Sequence, residues 1–157
     1  MEINTKSTLV IKSDGGSRGN PGPSAAGIYI TDKQSGKKII GFAKYLGVGT
    51  NNEAEYKAVI EALLWVLKSL GDLKKEYSKI EFYSDSLLIV NQLKGLYKIK
   101  KPQLQRLYQR VNTLLLEIDI PLRFIHVKRE NNIEPDLLLN NVLEKYIRGL
   151  HVPKKDV

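Results

Sequence analysis

The sequence predicts an α/β fold built on a five-stranded mixed sheet, three antiparallel strands followed by two parallel ones, with helices on both faces. Three observations lead there. Short β-branched runs bounded by glycine and proline open the chain. The apolar period then changes from that of a strand to that of a helix near residue 52. Beyond that point strand-like and helix-like segments alternate, which demands crossover connections and therefore parallel pairing.

Each element follows from local chemistry. Residues 8–14 (TLVIKSD) form a first strand that stops at Gly15-Gly16, and the run GGSRGNPGP behind it reads as a loop by composition. Residues 25–32 (AAGIYITD) and 38–45 (KIIGFAKY) form two more strands around a turn at Gln34-Ser35-Gly36. Links this short favour antiparallel neighbours. Across 52–70, Val59, Leu63, Val66, Leu67 and Leu70 recur at helical spacing, with Asn51 or Asn52 as cap and Gly71 as stop. Residues 79–83 (KIEFY) are a fourth strand, and 86–94 a short helix ended by Gly95. Pro102 opens a helix over 103–117, with Leu104, Leu107, Val111, Leu114 and Leu115 on one face. Pro121 precedes a fifth strand, LRFIHV. A last helix starts near Pro135, with Leu138, Val142 and Tyr146 on one stripe and Leu139, Leu143 and Ile147 beside it. Residues 1–157 are expected to form one domain, with its core at about 8–148 and a frayed tail over 149–157.

Composition narrows the chemistry. A formal net charge of +8 points to a polyanionic partner, of which nucleic acid is the commonest. The absence of cysteine removes disulfides, thiolate zinc sites and cysteine nucleophiles together, and two histidines are too few for a histidine-rich metal centre. A bound metal must then be held by oxygen, which means Mg²⁺, Mn²⁺ or Ca²⁺. No run reaches the ~18–20 apolar residues that span a membrane. The N-terminus lacks the profile of a signal peptide, so a cytoplasmic location is expected.

Four acids stand out: Asp14, Glu55, Asp85 and Asp136. Singly, each has a structural explanation as a turn former, a capping-box acid, an N-cap or a first-turn charge. Together they point elsewhere. Asp14 and Asp85 both fall at the C-terminal ends of predicted strands. If those strands pair in parallel, both carboxylates emerge at the edge where open α/β sheets place their sites. Glu55 and Asp136 lie in first turns of helices that can be aimed at the same edge. Four converging carboxylates resist ionisation unless cations are bound. Two divalent ions about 3.5–4 Å apart would satisfy them and support phosphodiester hydrolysis without a histidine or serine nucleophile.

The local sequences then become specific. Residues 14–23, DGGSRGNPGP, resemble the opening signature of ribonuclease H type 1, and Thr50-Asn51-Asn52-Glu53-Ala54-Glu55 resembles that family's TNNxxE. Ser84-Asp85-Ser86 resembles its strand-end motif, and Glu134-Pro135-Asp136 with Leu139-Asn140 its final acidic region. Order and spacing agree over roughly residues 8–145. The resemblance implies the RNase H-like fold in its compact form without a basic protrusion. It also implies hydrolysis of the RNA strand of RNA–DNA hybrids with two Mg²⁺ ions, Mn²⁺ able to substitute, and no small-molecule cofactor. By motif position the metal-binding acids are Asp14, Glu55, Asp85 and Asp136, with Glu53 excluded by the count from Asn52. Substrate contacts carry over to Gly15, Gly16, Asn20, Thr50, Asn51 and Asn52, whose amides and hydroxyl suit phosphate and 2′-OH groups. The basic segment 94–101 adds Tyr97 and Lys98 as a phosphate-gripping patch.

Two departures from the family pattern stand out. The loop before the last acid is short and carries no histidine, which leaves His126 and Glu130 as candidate auxiliaries. Pro135 takes the place of the usual alanine before Asp136. They keep two other readings open: a hybrid- or duplex-binding module without strong catalysis, and a nuclease of this fold with another duplex or junction as substrate. Nothing in the sequence demands a dimer, and a monomer is expected.

Overall fold

The computed structural model describes residues 6–151. Strands β1 (Ser7–Ser17), β2 (Gly22–Asp32) and β3 (Lys38–Gly49) form an antiparallel meander. Helices α1 (Asn51–Lys68) and α2 (Leu70–Glu76) lead to β4 (Tyr77–Ser84), and α3 (Leu87–Leu93) and α4 (Pro102–Glu117) lead to β5 (Leu122–His126). A single 3-10 turn, Arg129–Asn131, precedes α5 (Ile133–His151). The sheet order is β3-β2-β1-β4-β5, with β4 parallel to both β1 and β5. This is the predicted mixed sheet, and β1 is its central strand.

Both faces of the sheet are covered, which is why β1 loses strict alternation: Leu9, Val10, Ile11, Ser13 and Asp14 are all buried. On one face Leu9, Ile11, Ile28 and Phe82 pack against Tyr56, Val59, Leu63 and Val66 of α1, with Leu104, Val111 and Leu114 of α4 in the same core. On the other, Ala25 of β2 packs under Leu139 and Leu143 of α5.

Two glycines set how closely the helices approach. A Cβ on Gly15 would lie 2.2 Å from the Ala54 carbonyl at the start of α1, and one on Gly27 would lie 2.0 Å from the Pro135 carbonyl oxygen of α5. Gly27 is also the register partner of Asp14. The first turns of α1 and α5 are therefore drawn to the level of Asp14 from opposite faces.

Several boundaries differ from expectation. β1 runs on through Ser17 and β3 through Gly49, because the β1–β2 and β2–β3 ladders continue where composition reads loop and turn. The cap of α1 is Thr50, whose side chain accepts from the Glu53 N–H while Glu53 reaches back to the Thr50 N–H. That capping box leaves Asn51 and Asn52 inside the helix. Gly71 does not stop a helix. The break comes at Ser69, and α2 follows at once, with Leu73 buried beneath it. α5 starts at Ile133, two residues before Pro135. Proline is tolerated there because first-turn N–H groups have no intrahelical acceptor. The helix continues through His151, and the rest of the expected frayed tail, 152–157, lies outside the described residues.

Candidate active site

Parallel pairing fixes the first two acids. Lys12 is opposite Tyr83 in the β1–β4 register. Two residues farther along stand Asp14, in β1, and Asp85, just past the end of β4, where β1 has an antiparallel neighbour on one side and a parallel one on the other. The close contact at Gly15 brings in Glu55 from α1. Carboxylate oxygens of Asp14, Glu55 and Asp85 all lie within 4.8 Å of one another. Asp136, held at the start of α5 by the Gly27–Pro135 contact, lines the same cleft as Asp14. The start of α5 is fastened further by the buried Asn132, whose amide donates to the Ser13 carbonyl at 2.9 Å, and by the Lys12–Glu134 ion pair at 3.3 Å. All four acids line one cleft of about 380 Å³.

Crowding acids in a half-dry cleft disfavours their charged forms. Burial pushes the Asp14 carboxyl up to about 7, opposed by a hydrogen bond from Glu55 and reinforced by the charges of Asp85 and Asp136. Glu55 is raised well above its ordinary value, by burial first and then by Asp14. Burial also raises Asp85, partly offset by the Arg129 guanidinium 3.8 Å away. The Oε2 atom of Glu55 is buried and has no hydrogen-bond partner. A carboxylate oxygen left unpaired inside a ring of acids is a cation-ligand arrangement, and an all-oxygen donor set suits a hard divalent ion. The residues present therefore fit the metal that the sequence led us to expect, although three of the four acids meet the tightest clustering and Asp136 stands beside them.

The other predicted residues divide. Gly15 and Gly16 line the acid cleft. Asn51 and Asn52 line both that cleft and an adjoining polar groove of about 320 Å³, which they share with Asn20, Thr50 and Lys101. Here the side chains already serve the fold: Asn20 Oδ1 accepts from the Asn51 N–H at 3.0 Å, and Asn51 Oδ1 from the Ser17 N–H at 2.9 Å. Tyr97 lies in a separate pocket with Gln92, Gln105 and Tyr108, and Lys98 is exposed beside it. His126 and Glu130 are exposed, and neither lines the cleft.

Two charged cleft residues lie outside the set expected from the sequence. Arg129 lines the cleft and pairs with Asp85. It lies in the short loop, where the missing histidine draws attention to a base and not to a cation. Arg18 lines the opposite motif region and donates to Asn140 Oδ1 at 2.9 Å. Its only sequence signal was its place within the glycine-rich signature.

Comparisons with known proteins bear on the family and the fold. A family model described as reverse transcriptase-like matches residues 12–141. Ribonuclease HI of Halobacterium salinarum is 37% identical over 131 residues, 83% of this chain and 62% of that protein. The bifunctional protein Rv2228c of Mycobacterium tuberculosis is 32% identical over 136 residues, 87% of this chain but 35% of that protein. The chain thus spans about a third of one curated relative and under two thirds of the other. Among solved structures, LC11-RNase H1, isolated from compost by a metagenomic approach, is 38% identical with a TM-score of 0.83, covering 90% of this chain and 99% of that one. LC11-RNase H1 in complex with an RNA/DNA hybrid is 37% identical with a TM-score of 0.81, covering 88% and 99%. The sheet order and relatives matched across most of the chain lead to one assignment: this protein belongs to the ribonuclease H type 1 family.

Proposed function

We propose that the whole chain works as one catalytic domain that hydrolyses the RNA strand of RNA–DNA hybrids, using two Mg²⁺ ions for which Mn²⁺ can substitute. The observation that carries this reading is the convergence of Asp14, Glu55 and Asp85 within 4.8 Å, with Asp136 lining the same cleft. A hybrid as substrate is supported by the complex of the similar LC11-RNase H1 with an RNA/DNA hybrid. We take the protein to act as a monomer in the cytoplasm, which gel filtration and cell fractionation would check.

Asp14, Glu55, Asp85 and Asp136 would hold the ions. When bound, these supply activation of the attacking water and neutralisation of the leaving oxygen. The chain's own residues do the rest. Glu55, raised by burial and by Asp14, would release its proton to solvent when acting as a ligand with the other three acids. Arg129 keeps Asp85 toward its charged form and adds a positive charge at the cleft wall. Gly15 and Gly16 line the cleft wall, where their backbone would face a sugar–phosphate backbone. Asn20, Thr50, Asn51 and Asn52 offer amides and a hydroxyl along the adjoining groove. Tyr97 and Lys98 extend the contact over the basic segment.

Side-by-side assays on hybrid, RNA duplex, DNA duplex and four-way junction test the proposal. Mg²⁺-dependent cutting of the hybrid's RNA strand, lost in Asp14→Asn with hybrid binding retained, is the expected result. Preference for another substrate, or undiminished cutting by the variant, would overturn it.

A further inference from the structure

Arg18 sits at the tip of the β1–β2 hairpin, in the wall of the acid cleft. Its guanidinium Nη2 donates to Asn140 Oδ1 at 2.9 Å and stands 3.6 Å from Glu144 Oε1. Asp136, Asn140 and Glu144 are spaced four residues apart on α5, so they form one stripe along a single helix face. Arg18 is therefore held by a residue one helical turn, ~5.4 Å along α5, from the last acid. That interval is comparable with the step between successive phosphates along one nucleic-acid strand.

The seat fixes the arginine without using it up. A guanidinium has five N–H donors in a rigid fork; one is spent on the neutral Asn140 amide, and the contact to the half-exposed Glu144 is long. The remaining edge matches a phosphate bidentately. Arg129 is the other cation lining the cleft, and it faces Asp85. Four carboxylates would repel the phosphates flanking the scissile one, and Arg18 supplies the opposite charge on the α5 side.

Building on the hybrid-cleaving reading above, we propose that Arg18, oriented by Asn140, binds the RNA-strand phosphate adjacent to the one being hydrolysed. The assignment to the RNA strand follows from its place one turn from Asp136. Arg18 is a substrate-binding residue and takes no part in the bond-making step.

The test is steady-state cleavage of a short RNA–DNA hybrid by the wild type, Arg18→Ala, Arg18→Lys and Asn140→Ala over a range of salt, with Mg²⁺ saturating. Arg18→Ala should raise KM about tenfold with kcat within about twofold, and reduce the salt slope of binding by about one. Arg18→Lys should recover part of the loss, and Asn140→Ala should show a weaker form of it. A hybrid with one neutral methylphosphonate at the flanking RNA position supplies the cycle: on it, Arg18→Ala should cost nothing further. Additive losses, an unchanged KM, or a fall in kcat with a raised Mg²⁺ requirement would each overturn the proposal. Failure of the wild type to cut any hybrid would instead overturn the reading it rests on.

Discussion

Glu53 and Glu55 lie two residues apart and do different work. Glu53 closes the capping box with Thr50, and Glu55 faces Asp14 in the cleft. Glu53→Ala should cost about 0.5–2 kcal/mol of stability, as loss of a helix cap does, and leave the Mg²⁺ dependence of cleavage alone. Glu55→Gln should have the reverse profile: cleavage down by about 10³-fold or more, and metal-free stability up by about 0.5–2 kcal/mol as the crowding of charge is relieved. Thermal unfolding in EDTA together with single-turnover rates separates the two; equal loss of activity in both variants would contradict the assignment. Counting from Asn52 was enough to choose between these glutamates. The choice of cap was not readable, since Thr50, Asn51 and Asn52 are all good capping residues and tertiary packing decides among them. Arg129 was also hidden, because its approach to Asp85 depends on how the 3-10 turn folds back across the end of β4.

At the scale of elements, the close approach of α5 to β2 decides where Asp136 stands. Gly27→Ala places a methyl group 2.0 Å from the Pro135 carbonyl, and neither backbone can yield cheaply. The variant should lose about 2–3 kcal/mol in urea denaturation, and the Mg²⁺ concentration for half-maximal cleavage should rise as Asp136 moves away. Gly71→Ala is the matched control: nothing lies within 4 Å of the added Cβ, and α2 should gain about 0.5 kcal/mol. A Gly27→Ala protein with wild-type stability and metal response would show that α5 is not held this way. The elements themselves were largely legible, since period and turn chemistry are local signals. The β1 extension and α2 were not. Gly15 stays bare within the strand because α1 packs against it, and Gly71 stays in a helix because Leu73 is buried beneath it. Both facts belong to packing between segments distant in sequence.

Over the whole molecule, two groups of carboxylates pull stability in opposite directions with pH. Glu81 is buried between Lys33 at 2.7 Å and Arg123 at 3.0 Å, and these partners, Lys33 foremost, hold its carboxyl at about 2. A depressed value contributes stability above the ordinary glutamate range and loses it as pH falls toward 2. Asp14 and Glu55 are raised, so the folded state binds more protons than the unfolded one above pH ~4. Their contribution is complete below the ordinary carboxylate range and is lost as pH rises through about 7, the value to which Asp14 is pushed. The metal-free protein should therefore be most stable at about pH 4–5 and fall off on both sides. Divalent ions replace the protons as counter-charge in the cleft, so Mg²⁺ should lift the neutral and alkaline limb and leave the acid limb untouched. Melting curves from pH 3 to 9 with EDTA and with Mg²⁺ would show this as two profiles that meet near pH 4 and separate above it. Glu81→Gln should lower the profile above about pH 4.5, where the wild-type carboxylate is ionised in both states, by about 1–3 kcal/mol, and converge with the wild type in acid. A metal-free profile that keeps rising between pH 5 and 8, with no separation on adding Mg²⁺, would mean that the four acids do not share one desolvated, cation-binding cleft.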